Sequence, residues 1–168
     1  MLDRLNTSLL KATELLKHHA LKITMAESCT GGGLCYWLTS VAGSSAWVER
    51  GFVTYSNQAK IDMLGVPAAI IEKEGAVSKA TAIAMAAGAL SHSTADLAIS
   101  ITGIAGPDGG SADKPVGTVW IGWAGRGIAP DAALYTFQGD RQTIRVETII
   151  CALDKINEIG LGMISEHL

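Results

Sequence analysis

The feature that most constrains the fold is an alternation of two hydrophobic periods along the chain. Apolar residues recurring at steps of three and four mark helices, and short apolar runs mark strands. On this basis helices are expected at about 2–19, 32–41, 57–64, 78–92 and 141–160, with strands at about 22–26, 50–55, 96–101, 117–124 and 132–138. "GVPAAIIEKEG" is expected as a loop with a short helical turn. Helix and strand alternate through the first part, which implies parallel strands joined by right-handed crossovers. The last two strands are separated by "GRGIAPD", too short for a crossover helix, and are expected as an antiparallel hairpin. The predicted fold class is α/β, with three α/β/α layers around a mixed five-stranded sheet.

The 168 residues suit a single domain spanning 1–168 with a sizeable core. An apolar fraction of 48% against 17% charged residues excludes a disordered chain. A net charge of −3 leaves no basic footprint for nucleic acid, and no apolar run is long enough to span a bilayer. In "MLDRLNTSLLKATELLKHH", Leu2, Leu5, Leu9, Ala12 and Leu16 describe an amphipathic helix rather than a secretion signal. Cys29, Cys35 and Cys151 are odd in number and form no CxxC, which argues against a disulfide framework or structural zinc. A reduced cytoplasmic protein is expected.

Polar clusters fall at the carboxyl ends of the first three predicted strands: Ser28 follows the first, Tyr55 ends the second and Thr102 ends the third. In open α/β sheets that edge is where ligands bind. In "ESCTGGG" the glycines before a helix expose N–H groups suited to an oxyanion or phosphate. Ser28 or Thr30 supplies a hydroxyl beside them; the alternative is a turn whose hydroxyls only cap the helix. In "YSNQAKIDMLG" Ser56 or Asn57 is the N-cap and Gly65 follows the last turn. Lys60 then lies near the first turn, where the helix dipole opposes a cation. With burial, its pKa falls and a neutral amine becomes available as a base; a solvated lysine is the alternative. Tyr55 is equally open, since a buried tyrosine often needs only a partner for its hydroxyl.

"TGIAGPDGG" has GxxGxxG spacing, which rejects a dinucleotide fingerprint, and no Walker lysine motif exists. This loop is either a wrap around a small ligand or an ordinary surface loop. "GDRQTIR" places Asp140 as an N-cap, with Arg141 and Arg145 near one helix face. Two guanidiniums there suit a phosphate group, or else are solvated surface residues. His18, His19, His92 and His167 lie outside all these motifs, so a Ser–His or Cys–His pair is not supported. SxxK occurs only at Ser8–Lys11 and Ser111–Lys114, neither of which includes Ser28 or Lys60, and GxSxG is absent, leaving a lysine as the most available activator of Ser28.

Taken in order, "AESCTGG", "GSSAWVERGFVTYSNQAK", "LGV", "GAVS", "TGIAGPDGG", "KPVGTVW" and "GDRQTIR" resemble the CinA C-terminal family over roughly residues 22–150. The resemblance implies an amidohydrolase that converts nicotinamide mononucleotide to nicotinate mononucleotide and ammonia in pyridine nucleotide salvage. It implies no metal and no cofactor, a homodimer or larger homo-oligomer, and a fold similar to anticodon-binding domains with one antiparallel strand. By the same resemblance Lys60, helped by Tyr55, deprotonates Ser28, and the turn of Thr30, Gly31 and Gly32 stabilises the oxyanion. Thr102 with the loop of Gly103 and Gly106 orients the substrate, while Arg141 and Arg145 hold its phosphate from the same or a neighbouring subunit. Two rival readings are a non-catalytic nucleotide-binding or regulatory module and an enzyme with Cys29 as nucleophile.

Overall fold

The computed structural model describes residues 1–165; His167 lies outside them. The helices are α1 (Leu2–His18), α2 (Gly33–Ser40), α3 (Asn57–Leu64), α4 (Ala68–Glu74), α5 (Lys79–Ser91) and α6 (Arg141–Ser165). The strands are β1 (Ile23–Glu27), β2 (Val48–Val53), β3 (Leu97–Gly103), β4 (Thr118–Gly125) and β5 (Ile128–Thr136). They form one five-stranded sheet in the order β2-β1-β3-β4-β5. β1 runs parallel to both β2 and β3. β4 is antiparallel to β3 and to β5, so it alone reverses direction.

The two sheet faces carry different packing. On one, α1, α2 and α6 bury large side chains, including Leu5, Leu16, Leu34, Leu153 and Ile156, against Ile23, Met25, Leu97 and Ile99. On the other, α5 brings Met85, Ala86 and Ala89 against Ala26, Ala98 and Ala124. Small residues there let the helix approach closely. Ser100 Oγ donates to the carbonyl of Ala82 on α5 at 2.6 Å, and a Cβ at Gly122 would meet that same carbonyl at 2.6 Å as well as Ser100 Oγ. Gly122→Ala should therefore destabilise the protein by about 1–3 kcal/mol, the usual cost of overpacking. Lowered thermal stability in calorimetry is the expected reading, with no change in oxidation or charge state to explain it.

Several boundaries differ from the sequence-based expectation. β2 occupies Val48–Val53 rather than 50–55, so Tyr55 lies two residues beyond the strand. β5 spans Ile128–Thr136 rather than 132–138, because Gly125 already pairs with Ile128. "GVPAAIIEKEG" contains the helix α4, anchored by buried Ile71. α6 runs on to Ser165. Among the described residues, no helix is long and apolar enough to cross a membrane.

Candidate active site

Strand register builds the site. Glu27 lies level with Val53 on β2 and Ile101 on β3, so Ser28, Thr54 and Thr102 follow at one height, the first two just past their strands and Thr102 still paired with Trp120 of β4. The ladder continues a step beyond the strands: Ser28 N–H donates to the Ile101 carbonyl at 3.0 Å, and Thr54 N–H to the Glu27 carbonyl at 2.8 Å. The backbone of Ser28 is thus fixed by the sheet.

From Ser28 the chain must turn sharply into α2. Gly31 and Gly32 take φ of +59° and +93°, a region that residues with a Cβ enter only at a cost. Gly31 N–H donates to the Ser28 carbonyl at 3.0 Å. Gly32 precedes α2 and has no side chain with which to cap it. That role falls to Glu27, which the motif analysis passed over. Its carboxylate accepts from Leu34 N–H at 2.9 Å, Cys35 N–H at 3.0 Å and Thr30 Oγ1 at 2.6 Å. Thr30 is fully buried, and its hydroxyl points to Glu27.

Ser56, not Asn57, caps α3: its hydroxyl accepts from Ala59 N–H at 3.0 Å. Gly65 ends the helix in the left-handed conformation. Lys60, fourth in α3, is only 1% exposed. Its Nζ lies 2.9 Å from the Thr54 carbonyl, 3.2 Å from the Tyr55 carbonyl and 3.2 Å from Ser28 Oγ. Burial pushes its pKa below the ordinary lysine range. As a neutral amine, Lys60 would give its two N–H groups to the carbonyls, which can only accept, and turn its lone pair to the serine hydroxyl; as an ammonium it would donate to all three oxygens.

The other nominated residues divide between the cleft and its walls. Tyr55 is 61% exposed and its hydroxyl accepts from Arg141 Nη2 at 3.3 Å; its backbone carbonyl, not its phenol, reaches Lys60. Thr102 Oγ1 donates to the Ala76 carbonyl at 2.7 Å, tying the end of β3 to the segment before α5. Arg141 Nη1 donates to the Gly106 carbonyl at 2.8 Å, bridging the glycine-rich loop to Tyr55. Arg145 lies against the turn instead: its Nη2 donates to the Thr30 carbonyl at 3.0 Å. Asp140 caps α6, as its sequence position suggested, by accepting from Thr143 N–H.

A cleft of about 270 Å³ opens over Ser28, Lys60, Tyr55, Thr102 and Arg141, with Gly103 and Gly106 on its loop side. Asn57 and Asp108 also line it; both stood inside the quoted motifs, but spacing gave no reason to single them out. Arg145 is not among the lining residues, and neither are Thr30, Gly31 and Gly32 of the turn. A larger groove of about 980 Å³ between α1 and α6 contains none of the nominated residues, so size alone would have misplaced the chemistry. Cys29 lines the cleft as well, but burial, with Glu27 adding to it, pushes its thiol pKa up to about 11. No histidine among the described residues lines the cleft.

Known proteins share this arrangement of elements. The chain is 51% identical over 138 residues to the nicotinamide-nucleotide amidohydrolase PncC of Enterobacter agglomerans, covering 82% of this chain and 84% of that protein. It is 45% identical to the protein of the same name from Pseudomonas putida, over 95% of this chain and 99% of the other. The competence/damage inducible protein CihA from Agrobacterium tumefaciens superposes with a TM-score of 0.85 at 42% identity, covering 91% of this chain and 93% of the other. The model of the CinA C-terminal domain matches residues 6–159, a span that includes every residue around the cleft, and the chain belongs to that family.

Proposed function

We propose that this protein hydrolyses the carboxamide of nicotinamide mononucleotide, releasing nicotinate mononucleotide and ammonia, with Ser28 as nucleophile and Lys60 as its base. The observation that carries the mechanism is the 3.2 Å approach of Lys60 Nζ to Ser28 Oγ with both neighbouring carbonyls engaged; the substrate follows the names of the relatives. Lys60 takes the hydroxyl proton as Ser28 Oγ attacks the carboxamide carbon. Gly31 N–H is committed to Ser28, so the N–H groups of Thr30 and Gly32 are the donors assigned to the oxyanion. Protonated Lys60 then delivers its proton to the departing nitrogen, without which ammonia is a poor leaving group. Water releases nicotinate mononucleotide from the acyl-enzyme by the reverse proton path. A thiol held as protonated as Cys29 is a weak competitor for the nucleophile's role.

Arg141 lines the cleft and is the residue assigned to the phosphate; Arg145, bonded to the Thr30 carbonyl, supports the turn. Tyr55 contributes its carbonyl to Lys60 and its hydroxyl to Arg141. Incubation with nicotinamide mononucleotide should yield ammonia and nicotinate mononucleotide in equal amounts. Arg141→Ala should raise KM for the nucleotide by roughly ten- to a hundredfold, the worth of a charge-assisted contact, and weaken nicotinamide riboside, which lacks the phosphate, much less. Binding of the nucleotide without ammonia release would favour a regulatory module over an enzyme.

A further inference from the structure

We infer that Glu27 is a positioning residue of this reaction: it fixes the turn that carries the Ser28 hydroxyl and the N–H groups of Thr30 and Gly32. The inference rests on the amidohydrolase reading and adds to it a residue that touches no substrate. Glu27 is 1% exposed, and among the described residues no cation pairs with its carboxylate within ion-pair distance. A buried carboxylate is costly unless its oxygens are satisfied. Here three donors and the positive end of α2 satisfy them.

The placement explains why an ordinary cap would not serve. The residue before α2 is Gly32 at φ +93°, a conformation that a serine or aspartate would adopt only under strain. The cap must come from elsewhere, and it comes from the residue adjoining Ser28 in the chain. Glu27 therefore couples the end of β1, the turn and the start of α2 through one carboxylate.

The turn is held from its other sides as well. The Thr30 carbonyl accepts from Gly33 N–H and from Arg145 Nη2, both at 3.0 Å, and Gly31 N–H is bonded to Ser28. With its side chain on Glu27, Thr30 has its hydroxyl, its carbonyl and the following amide all engaged. The peptide planes around the nucleophile cannot rotate without breaking several of these bonds. Displacement of catalytic groups by about 1 Å can cost on the order of a hundredfold in rate, so the anchor acts on turnover rather than on substrate affinity.

The test uses Glu27→Gln, Thr30→Val and the double variant, assayed with nicotinamide mononucleotide. Glutamine keeps the shape, but its amide group turns one acceptor into a donor, so the three existing donors can no longer all be served. Glu27→Gln should lower kcat by about 10- to 100-fold with KM within about threefold of the unaltered protein. Thr30→Val leaves the α2 cap intact and should lower kcat by about tenfold. The double variant should lose less than the product of the two single losses, because Thr30 and Leu34 share one carboxylate oxygen, Cys35 holds the other, and both changes act on that one network. Circular dichroism and thermal melts establish that each variant is folded at the assay temperature. Unchanged kcat in folded Glu27→Gln, a loss confined to KM, or fully multiplicative losses in the double variant would each overturn the proposal. Should Glu27→Gln not fold, Thr30→Val decides alone, and unchanged kcat there overturns it. Absence of ammonia release by the unaltered protein would overturn the amidohydrolase reading and this inference with it; release that neither variant slows overturns only the positioning role.

Discussion

Ser28→Ala is expected to lower kcat by roughly three orders of magnitude or more, the scale of loss when a nucleophile is removed, while the protein stays folded. The fold should tolerate it because Ser28 Oγ contributes little to packing. Its partners are Lys60 Nζ at 3.2 Å and a long contact to the Tyr55 carbonyl at 3.5 Å. Without the hydroxyl, Lys60 keeps both carbonyl partners. Cys29→Ala should be far milder, since the thiol is held protonated. Thermal melts beside single-turnover assays separate loss of chemistry from loss of structure. Near-normal turnover in the serine variant, with Cys29→Ala inactive, would transfer the nucleophile's role to the thiol.

Lys60→Arg should be nearly inactive even though it retains a positive charge. A guanidinium stays protonated and offers no lone pair to accept the serine proton. The native lysine has the opposite property: a free lysine titrates at about 10.4, and burial draws Lys60 below its usual range. The direction fixes the pH dependence. Below the depressed pKa Lys60 is an ammonium and the base is blocked; as pH rises through it, the neutral fraction grows and kcat/KM climbs to a plateau. The rising limb of kcat/KM for the free enzyme should therefore lie below the range of an ordinary lysine. Lys60→Met should also be inactive, yet still bind nicotinamide mononucleotide in calorimetry if folded. Substantial activity in Lys60→Arg would remove the base assignment and leave Lys60 as an electrostatic support.

What the sequence disclosed was local chemistry and the height at which the strands end. The Ser56 and Asp140 caps and the Gly65 terminator each act within a few residues, so their side chains announce them. The convergence of Ser28, Lys60 and the loop after Thr102 followed from topology alone. What stayed hidden depended on distant partners. The α2 cap is six residues before the helix, in a strand, where no local pattern marks it. β5 begins earlier than expected and holds Pro130 within it; at the edge of a sheet a residue without an N–H is tolerated. α4 is only seven residues long and is fastened by Ile71, too little periodicity to separate it from a loop. Tyr55 was nominated for its phenol, whereas its carbonyl makes the contact with Lys60, and a backbone atom leaves no trace in residue type.

The reversal of β4 has a bearing on how the protein can be remodelled. Because β3 and β4 pair antiparallel up to Gly103 and Val119, the segment between them leaves and re-enters the sheet at the same edge. Its feet are stapled together by Ile104 N–H to the Thr118 carbonyl at 2.9 Å and Gly117 N–H to the Ile104 carbonyl at 2.8 Å. Closing a loop on feet already joined costs only a slowly growing entropy as residues are added. This segment can thus lengthen, shorten or be exchanged while the parallel strands bearing Ser28 and the crossover bearing Lys60 stay in register. Under the proposed mechanism, the loop that orients the substrate and the Ser28–Lys60 pair lie in parts of the chain that can diverge separately, and swapping this loop between relatives is a direct test of altered ligand preference.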